Sequence, residues 1–525
     1  MKKALLFLGL SLYASLGYAQ NEKRLVFNFA SPRQTIHSFG ASDCWRVQYI
    51  GKNWPIEKRN QIADLLFSSE LDSWGNPKGI GLSMWRFNIG SGSHEAGDNG
   101  GVASLWRRAE CFLDKEGDWD WDKQEGQRWM LQAARERGVR YSLGFSITAP
   151  YFMTKNGMAR ASEKTPYANI REDQFDDYAA FLAEVSTHLG LDYLSPINEP
   201  QWEWVGSGQE GMQATNEECS RLIHLLDKEL KRRESKTKVV FGEAGDIRYL
   251  YRSGTNKPER DNQLKEIFSK KGIHSIYGLS SVAPIVSGHS YWSTWPVDTL
   301  IQTRKELAEE LGKQLPSNYT YWQTEYCPME QNPDNPRGGG GRDLGMNTAL
   351  YVARVIHHDL TVANAASWQW WTAFSEWNYK DGLIFIDDGT IADGASRGDE
   401  KMIETCKNDG VFRTSKLLWA LGNYSFFVRP GMVRLDGGAE MEEATSVMAS
   451  AYIDKSSKQV VVVLINYSEE NQKVDLSFQS LPNEYHAQKY KLFETSNRSD
   501  LQYKGIVGNK FEVPARSILT LVGVE

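Results

Sequence analysis

Cysteine is scarce in this chain: five residues in 525, Cys44, Cys111, Cys219, Cys327 and Cys406, scattered and without C-x-x-C spacing. That argues against a disulfide-built scaffold or a zinc site and leaves room for one or two bridges at most. Surplus positive charge is missing as well. With a formal net charge of −7 and a pI near 5.9 the protein offers little to a polyanion, so no nucleic-acid partner is expected. Beyond the first residues no stretch reaches the roughly 18 consecutive apolar residues of a bilayer-crossing helix, so no membrane span is expected. The start reads differently. In MKKALLFLGLSLYASLGYAQ two lysines precede a short apolar run, Ala4 to Tyr13, and small residues follow. That is the layout of a secretory signal, residues 1–19, cut after Ala19 with no cysteine there to carry a lipid. Export to the periplasm or the medium, as a monomer, is the expectation. Low-complexity sequence is confined to 337-RGGGGRD-343, expected to form a mobile loop.

What the chain has in plenty is aromatic surface: 18 Trp and 23 Tyr, many beside Gly, Asn, Asp and Glu. Such side chains stack on apolar faces and hydrogen-bond at their edges, which suits sugars. Strand-length apolar runs recur in order: 36-IHSFGASDCW-45, 81-GLSMWRFNIGS-91, 140-RYSLGFSITAP-150, 193-YLSPINEP-200, 238-KVVFGEAGD-246, 285-IVSGHSYW-292, 320-TYWQTEYC-327 and 365-AASWQWWTA-373. Between them lie segments such as 216-NEECSRLIHLLDKELKRR-233, whose apolar residues recur at three- and four-residue spacing as on one helix face. Eight strands alternating with helices outline a (β/α)8 TIM barrel, an α/β fold.

After about residue 430 the texture changes to short β-rich runs with polar turns, among them 458-KQVVVVLINYS-468 and 510-KFEVPARSILTLVGV-524. This predicts an antiparallel side β-sandwich. The early segment 24-RLVFNFA-30 is strand-like and is expected to join it. The expected division is therefore residues 20–36 in the side sandwich, 37–429 in the barrel and 430–525 in the sandwich again.

The stretch 194-LSPINEPQWEW-204 sets Glu199 between an asparagine and a proline, with two tryptophans behind it. Proline fixes its own φ and biases the preceding residue toward extended backbone, so a plain turn would account for the sequence. In a barrel, however, ligand chemistry gathers at the C-terminal strand ends. Glu199 ends the fourth strand by this reading and Glu325 the seventh. Two carboxylates across one mouth fit glycoside hydrolysis, one protonating the leaving oxygen and the other attacking the anomeric carbon or activating water. The pair His357 and His358 lies in a helical pattern with no further ligand at metal spacing and reads as structural; no metal or cofactor is expected.

Five motifs, 38-SFGASDCW-45, 85-WRFNIGSGS-93, INEP, WQTEY and 419-WALGNYSFFVRPG-431, resemble glycoside hydrolase family 30, a group in the retaining (β/α)8 clan, over nearly the whole chain. The resemblance implies Glu199 as acid/base and Glu325 as nucleophile. It gives Asn198 a bond to the sugar 2-OH and makes Arg86 the fixed cation beside Glu325. Tyr291 would hydrogen-bond the nucleophile and His289 line the floor, although a satisfied barrel histidine is nearly as good a reading. Trp45, Trp202, Trp204, Trp292, Trp295, Trp370 and Trp371 fall at strand ends or just beyond, about half as core; of Trp370 and Trp371, one should face inward and its neighbour outward. The segment 201-QWEWVGSGQEG-211 is similar to the loop of the endo-β-1,6-galactanase branch, which makes β-1,6-galactan the first expected substrate. β-1,6-Glucan follows, then β-D-fucoside, β-glucoside or xylan. A non-catalytic glycan-binding barrel and a transglycosylase remain the rival readings.

Overall fold

The computed structural model describes residues 22–390, 404–439 and 444–525, so the expected secretory signal, residues 1–19, lies outside the described residues. Strand β1 (Lys23–Thr35) belongs to the side sheet. Eight parallel strands then close into a barrel: β2 (Ser38–Ser42), β3 (Met84–Ile89), β4 (Tyr141–Ser146), β5 (Tyr193–Ser195), β6 (Lys238–Ala244), β7 (Val282–His289), β8 (Thr320–Glu325) and β9 (Ala365–Trp370). These are the eight runs expected from the sequence. Parallel strands inside a ring of helices are covered on both faces, and β3, MWRFNI, is buried at every position. The helix Asn216–Arg232 shows how the outer ring forms. A capping box joins Thr215 and Glu218 at its start, and Leu222, Ile223, Leu226 and Leu230 turn one stripe inward.

Beyond β9 a small sheet of β10 (Phe374–Ser375), β11 (Ile384–Asp387) and β12 (Val411–Thr414) braces one side of the mouth. The side sheet contains β13 (Val433–Ala439), β14 (Val447–Ile453), β15 (Val460–Asn466), β16 (Gln472–Gln479), β17 (Lys489–Ser496), β18 (Ser499–Val507), β19 (Lys510–Val513) and β20 (Ser517–Val524). With β1 they run in the order β18-β17-β20-β15-β14-β13-β1-β16-β19. The sheet is not antiparallel throughout, because β1 pairs in parallel with β16. Parallel pairing needs a long crossover, and here the entire barrel is that crossover.

Strand β15 explains the unbroken apolar run in its sequence. Val460, Val462 and Leu464 enter the side sheet's own core, while Val461, Val463 and Ile465 join the barrel's core. The motif 419–431 is the hinge of this contact. In the buried helix Lys416–Ser425, Asn423 donates to Thr495 Oγ1 (2.6 Å), and its side-chain oxygen accepts from Thr520 Oγ1 (3.0 Å). All five cysteines are free and buried.

The glycine run at 337–343 departs from the expected mobile loop. The Gly339 amide donates to the Met329 carbonyl (3.2 Å) and the Gly341 amide to that of Asn378 (2.8 Å). A Cβ on Gly339 would lie 1.9 Å from the Tyr379 ring, so the glycine at that position lets the ring rest on the backbone.

Candidate active site

Pairing of β5 ends at Ser195, yet the chain keeps its lateral bonds beyond it. The Asn198 amide donates to the Ser146 carbonyl of β4 and the Glu199 amide to the Glu243 carbonyl of β6, both at 3.1 Å. Glu199 is thus fixed between two strands. Its φ is +45°, in the left-handed region, not the extended geometry that the following proline favours. For a residue with a Cβ that conformation costs on the order of 1–2 kcal/mol. Glu243, Trp204 and Trp292 adopt it too, at φ +41°, +48° and +57°. Strain of this kind collects where side-chain aim matters more than backbone ease. Gly245 leaves the necessary space: a Cβ there would lie 2.3 Å from Trp202 Nε1 and 2.9 Å from Glu199 Oε1.

Glu325 closes β8 and pairs in register with His289, the last residue of β7. One oxygen from each of Glu199 and Glu325 and one His289 nitrogen all lie within 4.8 Å of one another. Arg86, from β3, is fully buried with its guanidinium 3.7 Å over the Phe145 ring. It donates to Glu325 Oε2, to Asn198 Oδ1 (3.0 Å) and to Glu243 Oε2 (3.1 Å). The Tyr291 hydroxyl donates to Glu325 Oε1 at 3.1 Å. Asn198 is thereby turned so that its amide nitrogen is free for a ligand.

His289 is more than floor. Its Nδ1 lies 2.8 Å from Glu199 Oε1 and its Nε2 2.9 Å from Glu243 Oε2. Burial opposes its protonation, but the charge of Glu325 and the bonds to Glu199 and Glu243 push its pKa up to about 10. It is therefore an imidazolium at neutral pH. Burial likewise resists ionisation of Glu243, and the His289 bond and Arg86 overcome it, holding that carboxyl at about 2. Glu199 goes the other way: burial raises its pKa, with Glu325 adding to the effect and His289 opposing it. Glu199, His289 and Glu325 are also spaced to surround a cation. An imidazolium donating from both nitrogens has no lone pair to give one, so the donor set does not suit a metal.

The mouth opens into a cavity of about 520 Å³ lined by both glutamates, Trp202, Trp204, Tyr249, Trp292 and Trp371. Gln209, Met329 and Trp371 are shared with a second cavity of about 600 Å³ that extends the cleft. Of the candidates from sequence, Glu199, Glu325, Arg86, Asn198, His289 and Tyr291 converge on one centre, and Trp202, Trp204, Trp292 and Trp371 wall it. Trp45 and Trp370 do not line it. Trp45 is buried edge-on to Trp371 at 5.4 Å, and Trp370 is wholly buried with Nε1 donating to the Asp381 carbonyl. Strand pleating turns successive residues to opposite sides, so only Trp371 can face the cleft. The sequence reading passed over Glu243, although it lies in the last two residues of β6, much as Glu325 ends β8. That shared placement was the available signal.

A family model for O-glycosyl hydrolase family 30 matches residues 22–385. An endo-β-1,6-galactanase of Hypocrea rufa is 22% identical over 398 residues, 71% of each chain. The crystal structure of a conserved exported protein from Bacteroides fragilis matches with TM-score 0.86 at 38% identity, covering 95% of this chain and 100% of that one. The catalytic domain of a GH30 xylanase C from Talaromyces cellulolyticus shares the fold at TM-score 0.66 and 18% identity, covering 96% and 100%.

Proposed function

The chain belongs to glycoside hydrolase family 30, and from that premise we propose that it is an exported, retaining endo-β-1,6-galactanase with Glu199 as acid/base and Glu325 as nucleophile. The observation that carries the mechanism is the approach of the two carboxylates to within 4.8 Å. Retaining enzymes hold the pair about 5–5.5 Å apart, whereas inverting ones leave roughly 6.5–9.5 Å for a water.

Burial favours the protonated form of Glu199. It gives that proton to the glycosidic oxygen while Glu325 attacks the anomeric carbon; the bond to the leaving sugar breaks and a glycosyl ester forms on Glu325. Glu199, now ionised and facing the His289 imidazolium, takes a proton from water, which displaces Glu325 and releases the sugar with its configuration retained. Arg86 and Tyr291 hold Glu325 in line, and Asn198, fixed by Arg86, bonds the 2-OH.

Substrate rests on the loop after Glu199. Trp202 and Trp204 stand on the leaving-group side, where a β-1,6 chain can curl against them; a flat β-1,4 ribbon would need a straight groove. The galactanase relative supports the same choice. The residue 1–19 layout and the exported relative support export. The test is incubation with β-1,6-galactan, β-1,6-glucan and β-1,4-xylan, with products followed by proton NMR. We expect the β-anomer to appear first and galactan to be cut at least about ten times faster than xylan. An α-anomer appearing first would overturn retention, and equal cleavage of xylan would overturn the substrate.

A further inference from the structure

The cavity that extends the cleft beyond Trp371 contains polar groups the protein leaves unmatched. Asp381 is 5% exposed, and its Oδ1 has no hydrogen-bond partner. Arg107 Nε and the Trp377 indole nitrogen are also buried without a partner, and all three residues line this cavity. An unsatisfied buried polar atom costs about 1–3 kcal/mol, so three around one cavity point to an absent ligand. They are not loosely held. Asp381 sits between β10 and β11, and its carbonyl accepts from Trp370 Nε1 (2.8 Å) and the Thr372 amide (2.6 Å). Arg107 ends a helical turn, Leu105–Arg107, on the loop after β3.

We propose that this cavity is a glycone-side subsite that holds a neutral hexose residue by its hydroxyls and discriminates against a uronate in the same place. A hydroxyl donates to Asp381 and accepts from Arg107 or Trp377, satisfying all three groups at once. A carboxylate has no proton to give Asp381 and repels it. Nor is there spare positive charge to attract an anion. Among the described residues of the cavity's lining Arg107 is the one cation and Asp381 the one anion, and nearby Arg46 is paired with buried Glu376. The side is set by the chain. Cys327, Trp377 and Asp381, from the segments after the nucleophile strand and β9, border this cavity and not the other, whereas Trp202 and Trp204 border only the other; Gln209, Met329 and Trp371 are shared. A sugar bound here lies beyond the one being cleaved, which favours cuts within a chain.

This subsite rests on the glycosidase reading of the mouth, and its test separates the two. Binding is measured by calorimetry on the Glu325→Gln protein, which holds substrate without turning it over. The probes are neutral β-1,6-galacto-, β-1,6-gluco- and β-1,4-xylo-tetrasaccharides, each paired with a form carrying a uronate at the non-reducing end. For the bound backbone we expect the neutral member to bind at least about tenfold tighter than its uronate partner. Adding Asp381→Asn, which preserves shape, should weaken the neutral sugar about tenfold and shrink that preference, because it removes the repelling charge. Arg107→Met should weaken the neutral sugar alike, with circular dichroism confirming the fold. Equal or tighter binding of the uronate, an unchanged preference in Asp381→Asn, or no binding by any pair would overturn the subsite. Selectivity on a gluco- or xylo-pair with no galactan binding would sink the galactan reading and uphold the subsite.

Discussion

The two ends of the barrel make an instructive pair. The bottom holds a cavity of about 650 Å³, larger than the roughly 520 Å³ at the mouth, and its walls also carry aromatic rings: His37, Tyr141, Tyr193 and Trp322. Yet among the described residues no carboxylate lines it. His37 stacks on Tyr141 at 4.0 Å, and its ring nitrogens are matched by Ser38 Oγ and Tyr193 OH, both at 3.0 Å. Burial, helped by Arg140, drops its pKa to about 4, so it is neutral where His289 is a cation. Volume and aromatic surface do not make a catalytic centre. Paired carboxylates, backbone strain and polar atoms left for a ligand distinguish the mouth, and the opposite face serves stability.

The comparison breaks most sharply at the proposed nucleophile. Glu325→Ala should lower kcat/KM at least about a thousandfold while glycan binding persists, because the covalent intermediate is lost and most of the binding surface stays. His37→Ala should change kcat/KM less than about threefold and lower the melting temperature instead, since a packed ring is removed. Steady-state kinetics and a thermal melt on both variants decide it; near-normal turnover by Glu325→Ala would mean the nucleophile is misassigned.

The histidines should also pull stability in opposite pH directions. The folded value of His289, about 10 against an ordinary 6.5, lies above the unfolded one, so its contribution is complete below 6.5 and is lost as pH rises through 10. His37, at about 4, contributes fully above 6.5, and that contribution is lost as pH falls through 4. Denaturant melts across pH should therefore show a flatter alkaline decline in His289→Gln and a flatter acid decline in His37→Gln. Parallel curves would contradict the assigned protonation states.

A smaller effect concerns rate. The acid must be protonated, so kcat/KM should fall as pH rises through the elevated pKa of Glu199. His289 opposes that elevation, so His289→Gln should move the alkaline limb to higher pH. A limb that stays in place or moves down would remove His289 from control of the acid. The least effect is expected from the walls. Trp202→Ala or Trp204→Ala should reduce the galactan-over-xylan ratio about three- to tenfold, as fits a stacking contact of about 1 kcal/mol. Trp322→Phe at the bottom should leave that ratio unchanged.

Much of this was legible along the chain. Each barrel strand announces itself as an apolar run because both of its faces are covered, and Glu199 and Glu325 stand out as charges that end such runs. Even the side sheet's share of the barrel core was written in the unbroken valines of β15. Other features were not. Asp381 and Arg107 lie in loops without pattern and matter only because folding brings both to the lining of one cavity with a buried polar atom of each unmatched. The left-handed turn at Glu199 ran against the local preference set by Pro200, since lateral bonds to β4 and β6 outweigh it. The parallel pairing of β1 had no local signal either.

By itself, then, the sequence determined the order of the strands and which residues end them, because burial and periodicity are properties of short segments. Only the tertiary structure decided that His289 is a cation shared by two glutamates and that Trp371 faces the cleft while Trp370 does not. It alone, too, brought Arg107 and Asp381 to the lining of one cavity. Charge state, orientation and unmet hydrogen bonds depend on what stands across space, and residues far apart in the chain meet only when the barrel closes.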